Sequence, residues 1–158
     1  MGSTATWSLI YGIALFDGEE WLVEEAGEYG SLVTNWLSED DDDPVGAIER
    51  RLLASVGFDE VYPGRDGDGR DYFRRKREAK RLLGVEIKHN GSDDFSGYIL
   101  ATSKLEVEWS QTKELDLVEL TAEPAREGWD AKLQAAVAAL GLTPKQAAPA
   151  WLLCASYG

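Results

Sequence analysis

His89 is the one histidine of the chain, and the residues that follow it are of the types a proton-transfer site would use. An unperturbed imidazole titrates near neutral pH and is the default general base there. Ser92, Asp93, Asp94 and Ser96 lie close by in sequence. A small ligand-binding or catalytic pocket near His89 is therefore one reading. The surrounding pattern does not extend it. No Gly-x-Ser-x-Gly elbow occurs, and the single cysteine, Cys154, carries no catalytic motif around it. Cys154 sits in the apolar run Trp151-Leu152-Leu153-Cys154-Ala155, which predicts a buried, inert thiol. His89 itself falls in an alternating segment, where a histidine ordinarily packs against its neighbours.

Metal and phosphate chemistry find little support. One histidine and one cysteine do not make a typical zinc site. Asp66, Asp68 and Asp71 are spaced somewhat like a calcium loop, but Arg70 occupies the fifth position, no glycine the sixth, and no glutamate closes the loop. Gly64, Gly67 and Gly69 resemble a glycine-rich loop without the Lys-Ser/Thr that holds phosphate or the Gly-x-Gly-x-x-Gly of dinucleotide sites. No cofactor and no metal are expected.

Charge carries the strongest signal. The chain of 158 residues has a formal net charge of −13, yet no Lys or Arg precedes Arg50. Eleven acids lie between Asp17 and Asp43, ending in the run Glu39, Asp40, Asp41, Asp42 and Asp43. Nine of the sixteen bases then fall between Arg65 and Lys88. Arg74, Arg75, Arg77, Lys80 and Arg81 would share the outer face of one helix. Such sorting suits contact, within the molecule or with a charged partner.

Three readings follow. In the first, a non-enzymatic interaction protein presents Glu39 to Asp43 to a partner with a basic surface, its carboxylates imitating the phosphates of a nucleic acid. In the second, copies self-associate, acidic end to basic helix. The third is the pocket near His89. The basic helix with Tyr72 and Phe73 resembles a nucleic-acid stripe, but the total charge opposes a phosphate backbone, so direct nucleic-acid binding is not expected. The N-terminus has no basic leader, no apolar run approaches the roughly 18 residues of a membrane span, and one cysteine fits a reducing compartment. The expected location is the cytoplasm.

The stretches Gly84-Val85-Glu86-Ile87, Gly97-Tyr98-Ile99-Leu100-Ala101 and Ala150-Trp151-Leu152-Leu153, with a bias to Ala, Arg, Asp and Trp, resemble small uncharacterised proteins of actinobacteria and their phages. The resemblance covers about the C-terminal half. It implies an intracellular accessory protein, phage-encoded in some cases and acting on a host protein, and it transfers no activity and no site residues.

The elements that must position these groups fit one α+β domain over residues 1–158, with a mixed or antiparallel sheet packed by three to four helices. Trp7 to Phe16 is apolar on both faces and predicts a central strand, with Asp17-Gly18 turning into a return strand over 20–24. Leu32, Val33, Trp36 and Leu37 have helical spacing, which predicts a helix over 29–37. Asp43-Pro44 is a cap-plus-proline start, and Val45, Ile48, Leu52, Leu53 and Val56 form one stripe up to Gly57. A short strand is expected over 59–62, and a helix from Asp71 to Leu83 with Tyr72, Ala79, Leu82 and Leu83 inward. Strands are expected over 85–89, 97–103 and 105–109, with a weaker one at Leu115, Leu117 and Leu120. A helix follows over about 124–140, then a helical turn at Thr143-Pro144, and a last strand over 150–157 beside the first.

Overall fold

The structure is a computed structural model that describes residues 4–37, 41–65, 67 and 69–158. Its fold is α+β, a four-stranded mixed sheet with four helices. In chain order these are β1 (Ala5–Phe16), α1 (Pro44–Ala54), α2 (Gly69–Leu83), β2 (Glu86–Gly91), β3 (Ser96–Glu108), α3 (Leu117–Glu127), α4 (Trp129–Leu140) and β4 (Ala150–Tyr157).

β1 has no charged residue, and it is the strand around which the others gather. It pairs antiparallel with β3 on one edge and with β4 on the other, and β2 pairs antiparallel with the first half of β3. One parallel pair, Gly91 with Ser156, brings β2 back to β4 and closes the ring in the order β1-β3-β2-β4. Closure needs a bend, and the register of β1 against β3 shifts between Tyr11 and Gly12. A Cβ on Gly12 would stand 2.1 Å from the carbonyl oxygen of Leu100, so only glycine lets the two backbones approach there.

The two faces of β1 serve two cores. Tyr11, Ile13 and Leu15 face the main core with Leu100, Ile48 and Leu52 of α1, and Leu133, Ala136 and Leu140 of α4. Ile10 faces the inside of the ring with Ile99 and Ala101, and Leu152 and Cys154 pack against them. Each fully buried Leu or Ile contributes about 1.5–3 kcal/mol, so this pairing of faces dominates the fold's stability.

Several expected elements form as read. α1 is capped by Asp43, whose carboxylate accepts the Gly46 N–H at 2.9 Å, and Pro44 opens the helix. β4 spans the expected residues beside β1, and α2, β2 and β3 lie where predicted, β3 running unbroken through both expected segments.

Others are corrected. The return strand over 20–24 reduces to isolated bridges, Phe16 with Trp21 and Val23 with Pro144, because Val23 and Trp21 are used as buried plugs of the core. The helix expected over 29–37 is absent. Its only helical turn is Glu28–Gly30, where Tyr29 takes a left-handed φ of 57°, and the segment is held instead by long-range bonds. Trp21 Nε1 donates to the Gly30 carbonyl at 3.0 Å, and Trp36 Nε1 to the Leu140 carbonyl at 2.7 Å. Residues 59–62 pair with no strand. α2 starts two residues before Asp71, and Leu82 lies outside, 61% exposed. Thr143 and Pro144 form no helical turn, since the Thr143 N–H and hydroxyl both donate to the Glu25 carboxylate.

The expected strand at Leu115, Leu117 and Leu120 is the start of α3, capped by Asp116 through the Glu119 N–H at 3.1 Å. The expected single helix over 124–140 is two helices, broken at Gly128 with φ of 66°. Pro124, read as a start, lies inside α3 and is buried. Having no N–H, it leaves the Leu120 carbonyl without its helical donor. Trp151 of β4 supplies the missing bond, its Nε1–H donating to Leu120 at 2.9 Å. Trp151 also meets Tyr11 edge-on at 5.3 Å and Trp129 at 6.0 Å, an aromatic trio that pins α3 and α4 to the sheet.

Trp151→Phe should keep the ring packing but orphan the Leu120 carbonyl. The expected loss is about 1–3 kcal/mol, read as a lower urea midpoint with an unchanged slope. Tyr11, buried beneath the trio and hydrogen-bonded to Asp130, has its phenol pushed up to about 12, first by burial and then by the Asp130 carboxylate. A raised folded-state value favours the protonated form. Its stabilisation is thus full below the ordinary tyrosine range and is lost as pH rises from about 10 to 12. Stability of the wild type should fall more steeply over that window than stability of Tyr11→Phe, and parallel curves would remove this role.

Candidate functional site: the groove between the acidic segment and the basic helix

A groove of about 460 Å³ lies between α1, the extended segment 58–62 and α2. Both charge-rich regions singled out in the sequence border it, Asp41 from the acidic run and Lys76 from the basic helix. Its floor is apolar. Ala47 and Leu53 come from buried positions of α1, Phe58 follows Gly57, and Tyr72 comes from the inner face of α2. Gly57 takes φ of 90°, so the chain leaves α1 sharply and lays 58–62 against α2.

Aromatic rings close one end of the groove. Tyr72 lies 5.5 Å from Phe58, and Tyr62 lies 5.5 Å from both Tyr72 and Phe73. Phe58 and Tyr72 are buried, whereas Tyr62 and Phe73 are about half exposed at 49% and 47%. At the other end Arg51 stands 5.8 Å over the Trp36 ring and donates through Nε to the Ala139 carbonyl at 3.2 Å.

The rim consists of charges held in fixed pairs. Arg75 grips Glu60 with two bonds of 2.7 Å, and this contact keeps the Glu60 carboxyl below its usual range. Lys76 and Lys80 share Glu49 at 3.2 and 3.7 Å. Arg74 pairs with Asp71 at 3.5 Å and Arg81 with Glu78 at 2.5 Å, along α2 itself. Arg77 makes no ion pair among the described residues. Among the described residues, the basic helix therefore has counter-ions on α1, on 58–62 and on its own turns. These exposed pairs each contribute little to stability. What they do is fix where the charges stand.

Of the acidic run, Glu39 and Asp40 lie outside the described residues. Asp41 pairs with Arg50 of α1 at 3.8 Å and accepts the Asp43 N–H at 3.0 Å. Asp43 caps α1. Asp42 alone of the three is exposed with no ion pair or side-chain hydrogen bond among the described residues. Acids further upstream also have local tasks. Asp17 accepts the Glu19 and Glu20 N–H groups, which hold its carboxyl below the usual range. Burial works against the charge of Glu25, but the two bonds from Thr143 outweigh it and hold that carboxyl low.

The His89 region is a short chain of hydrogen bonds at the β2–β3 hairpin. His89 Nε2 lies 3.0 Å from Ser96 Oγ. The same hydroxyl lies 3.0 Å from the Ser92 carbonyl, which can only accept, so the one hydroxyl proton points at Ser92. With the imidazole proton on Nε2, His89 donates to Ser96, completing a chain from His89 through Ser96 to the Ser92 carbonyl. Asp93 and Asp94 are exposed on the hairpin tip. Cys154 is half-buried inside the ring, and burial pushes its thiol up, away from a reactive thiolate. No group of three or more metal-ligating side chains comes together among the described residues. No described helix is long and apolar enough to cross a membrane.

The sequence pointed to both charged borders of the groove and missed its floor. Phe58 and Tyr62 fall in a segment read as a strand, and nothing in its pattern marks it as the lip of a cleft. The aromatic pair Tyr72-Phe73 was the available signal.

Asp43→Ala should lower stability by about 1 kcal/mol through loss of the α1 cap, whereas Asp42→Asn should stay within about 0.5 kcal/mol, both read by urea unfolding. An equal loss from both would mean that the cap does not anchor the acidic segment. Comparison of the chain with protein-family models, with curated proteins and with solved structures gave no match, which leaves its own residues and their geometry as the ground for its function.

Proposed function

We propose that this chain is a non-enzymatic interaction protein that binds a partner protein through the groove between α1 and α2, with the acidic segment beside it as the electrostatic guide. The observation that supports this best is an apolar, aromatic floor of about 460 Å³ ringed by charges already held in pairs. Such a surface takes an apolar side chain or short helix of a partner into the floor. Tyr62 and Phe73, half exposed and set edge-on to Tyr72, have the character of contact residues, since Tyr is enriched where binding energy concentrates.

Charge adds direction. Asp42 is exposed and makes no ion pair or side-chain hydrogen bond among the described residues, and Asp41, which borders the groove, pairs with Arg50 at 3.8 Å and accepts the Asp43 N–H, so Asp42 is the carboxylate left to meet bases on a partner. A net charge of −13 speeds the approach of a basic surface and makes the encounter salt-dependent. The phosphate-imitating version of this idea is narrower than the sequence suggested, because two of the three described carboxylates already serve α1. An accessory role on a host protein fits the resemblance to small proteins of actinobacteria and their phages.

The test uses the chain as bait in actinobacterial lysate after nuclease treatment, with graded salt washes and mass spectrometry of retained proteins. A specific partner should be released by moderate salt, be lost with Tyr62→Asp, and be weakened several-fold by Asp42→Lys. Retention of every partner by Tyr62→Asp would exclude the groove as the contact surface.

A further inference from the structure

The outward residues of β1 enter the main core only from Tyr11 onward. Before it, Ala5 and Trp7 share the direction of Tyr11 by strand alternation and stay at the surface. On β4, Ala155 and Tyr157 stand beside them, in the pairs Trp7 with Ala155 and Ala5 with Tyr157. Each pair joins one large ring to one alanine, so the two rings occupy diagonal corners. Diagonal neighbours across a ladder are about 7–8 Å apart, which leaves the rings separated above an alanine floor. The β2–β3 hairpin, joined to β4 through Gly91 and Ser156, adds Phe95 as a third wall.

These residues line a cup of about 310 Å³ on the outside of the ring. Phe95 and Tyr157 are 65% and 60% exposed, and Trp7 is braced on its far side by Trp109, ring to ring at 6.0 Å. The hairpin that carries Phe95 is held in place. Ser92 and Phe95 exchange backbone bonds of 3.2 Å in both directions, and the Gly91 N–H donates to Ser156 Oγ at 3.3 Å. No charged side chain lines the cup. Asp93 and Asp94, which lie in the chain between the lining residues Ser92 and Phe95, are exposed and form no ion pair among the described residues.

The lining decides the class of ligand. An anion finds no basic residue in the cup, and a net charge of −13 repels it. A sugar finds only two serine hydroxyls, each already accepting a backbone N–H. A metal ion or a bare ammonium would give up its water with no carboxylate in the cup to replace it. A neutral apolar molecule would fit the rings but gain nothing from the negative charge around them. A quaternary ammonium suits every feature, since it has no N–H to satisfy and is attracted to the faces of aromatic rings. We propose that the cup formed by Trp7, Phe95 and Tyr157 binds a small quaternary ammonium cation of the choline type, with Asp93 and Asp94 at its rim drawing the cation in. A free cation is favoured over a phosphorylated one, because a phosphate beside the ammonium would approach these two carboxylates. The site is separate from the groove between α1 and α2 and does not rest on the reading of that groove.

The measurement is a two-dimensional heteronuclear NMR titration of the full chain with choline at constant chloride. Choline should give saturable shifts centred on Ala5, Trp7, Gly91, Phe95 and Tyr157. The neutral isostere, in which carbon replaces the quaternary nitrogen, keeps the shape and loses the charge, and should bind about tenfold more weakly. Phosphocholine should also bind more weakly than choline. Tyr157→Ala and Phe95→Ala, both at exposed positions, should each weaken choline binding about tenfold, with an unchanged far-ultraviolet dichroism spectrum. Asp93→Asn combined with Asp94→Asn should weaken it several-fold, a difference that shrinks in high salt. No saturable shift, or shifts centred on the groove between α1 and α2, would overturn the proposal. Equal affinity for choline and its neutral isostere would make the cup a site for apolar molecules and exclude the cation. Tighter binding of phosphocholine than of choline would overturn the assignment to a free cation.

Discussion

Everything in this fold depends on β1 having no polar face. A strand of twelve residues without a single charge must have both faces and both edges covered, and one sheet face packed by helices cannot do that. The chain responds by bending. Glycine at position 12 lets Leu100 come within a distance no side chain would allow, the register slips, and the sheet curls until β2 touches β4. The outer half of β1 then faces the helices through Tyr11, Ile13 and Leu15, and Ile10 fills the ring. The helices are placed by this demand. α1 and α4 are the elements that supply Ile48, Leu52, Leu133 and Leu140 to it, while α2 packs on α1 and reaches the sheet mainly through Leu83.

Charge is arranged by what this core leaves free. Acids in the first third lie on turns and loops, where Asp17, Glu25 and Asp43 each satisfy backbone N–H groups that no strand or helix bond reaches. Bases on α2 stand on a helix whose buried residues are only Tyr72 and Ala79, so most of its circumference is solvated and pairs with acids on its own turns, on α1 and on 58–62. The separation of sign in the sequence thus becomes local pairing in space, and the net negative charge is left on the surface around the N-terminal loops. A partner approaching the groove meets a rim whose charges are fixed and a flank whose Asp42 is not.

Elements whose signals are local were legible in the sequence. The Asp43-Pro44 start and Gly57 end of α1, the alternation of β2 and the apolar run of β4 each follow from neighbours a few residues apart. The failures share a cause. Over 20–37 the tryptophans sit at helical and strand spacings, but their indole N–H groups bond to carbonyls at Gly30 and Leu140, and the second lies 104 residues away. At Leu117 the apolar residues of α3 point into solvent, so periodicity misreads them, and the cap at Asp116 was the better guide. Pro124 misled for a related reason, since its tolerance inside α3 comes from Trp151 on a distant strand. At the candidate site, charge announced the borders of the groove, and only the turn at Gly57 reveals its floor.

The same sorting that keeps charge off β1 and β4 divides the surface into two kinds of contact with opposite responses to the medium. Contacts at the acidic flank weaken as salt screens them over a Debye length of about 8–10 Å. Contacts on an apolar surface such as the groove floor are not screened by salt and are favoured at high salt concentration. A chain whose charges were spread evenly could not separate these, because every apolar approach would bring carboxylates together. Here the uncharged strands stand apart from the acidic loops, since β1 had to be apolar to build the core and β4 had to match it. The closed ring is thus a consequence of how the core is made: Trp151 packs on Tyr11 and Trp129 toward the helices, while Leu152 and Cys154 fill the inside of the ring.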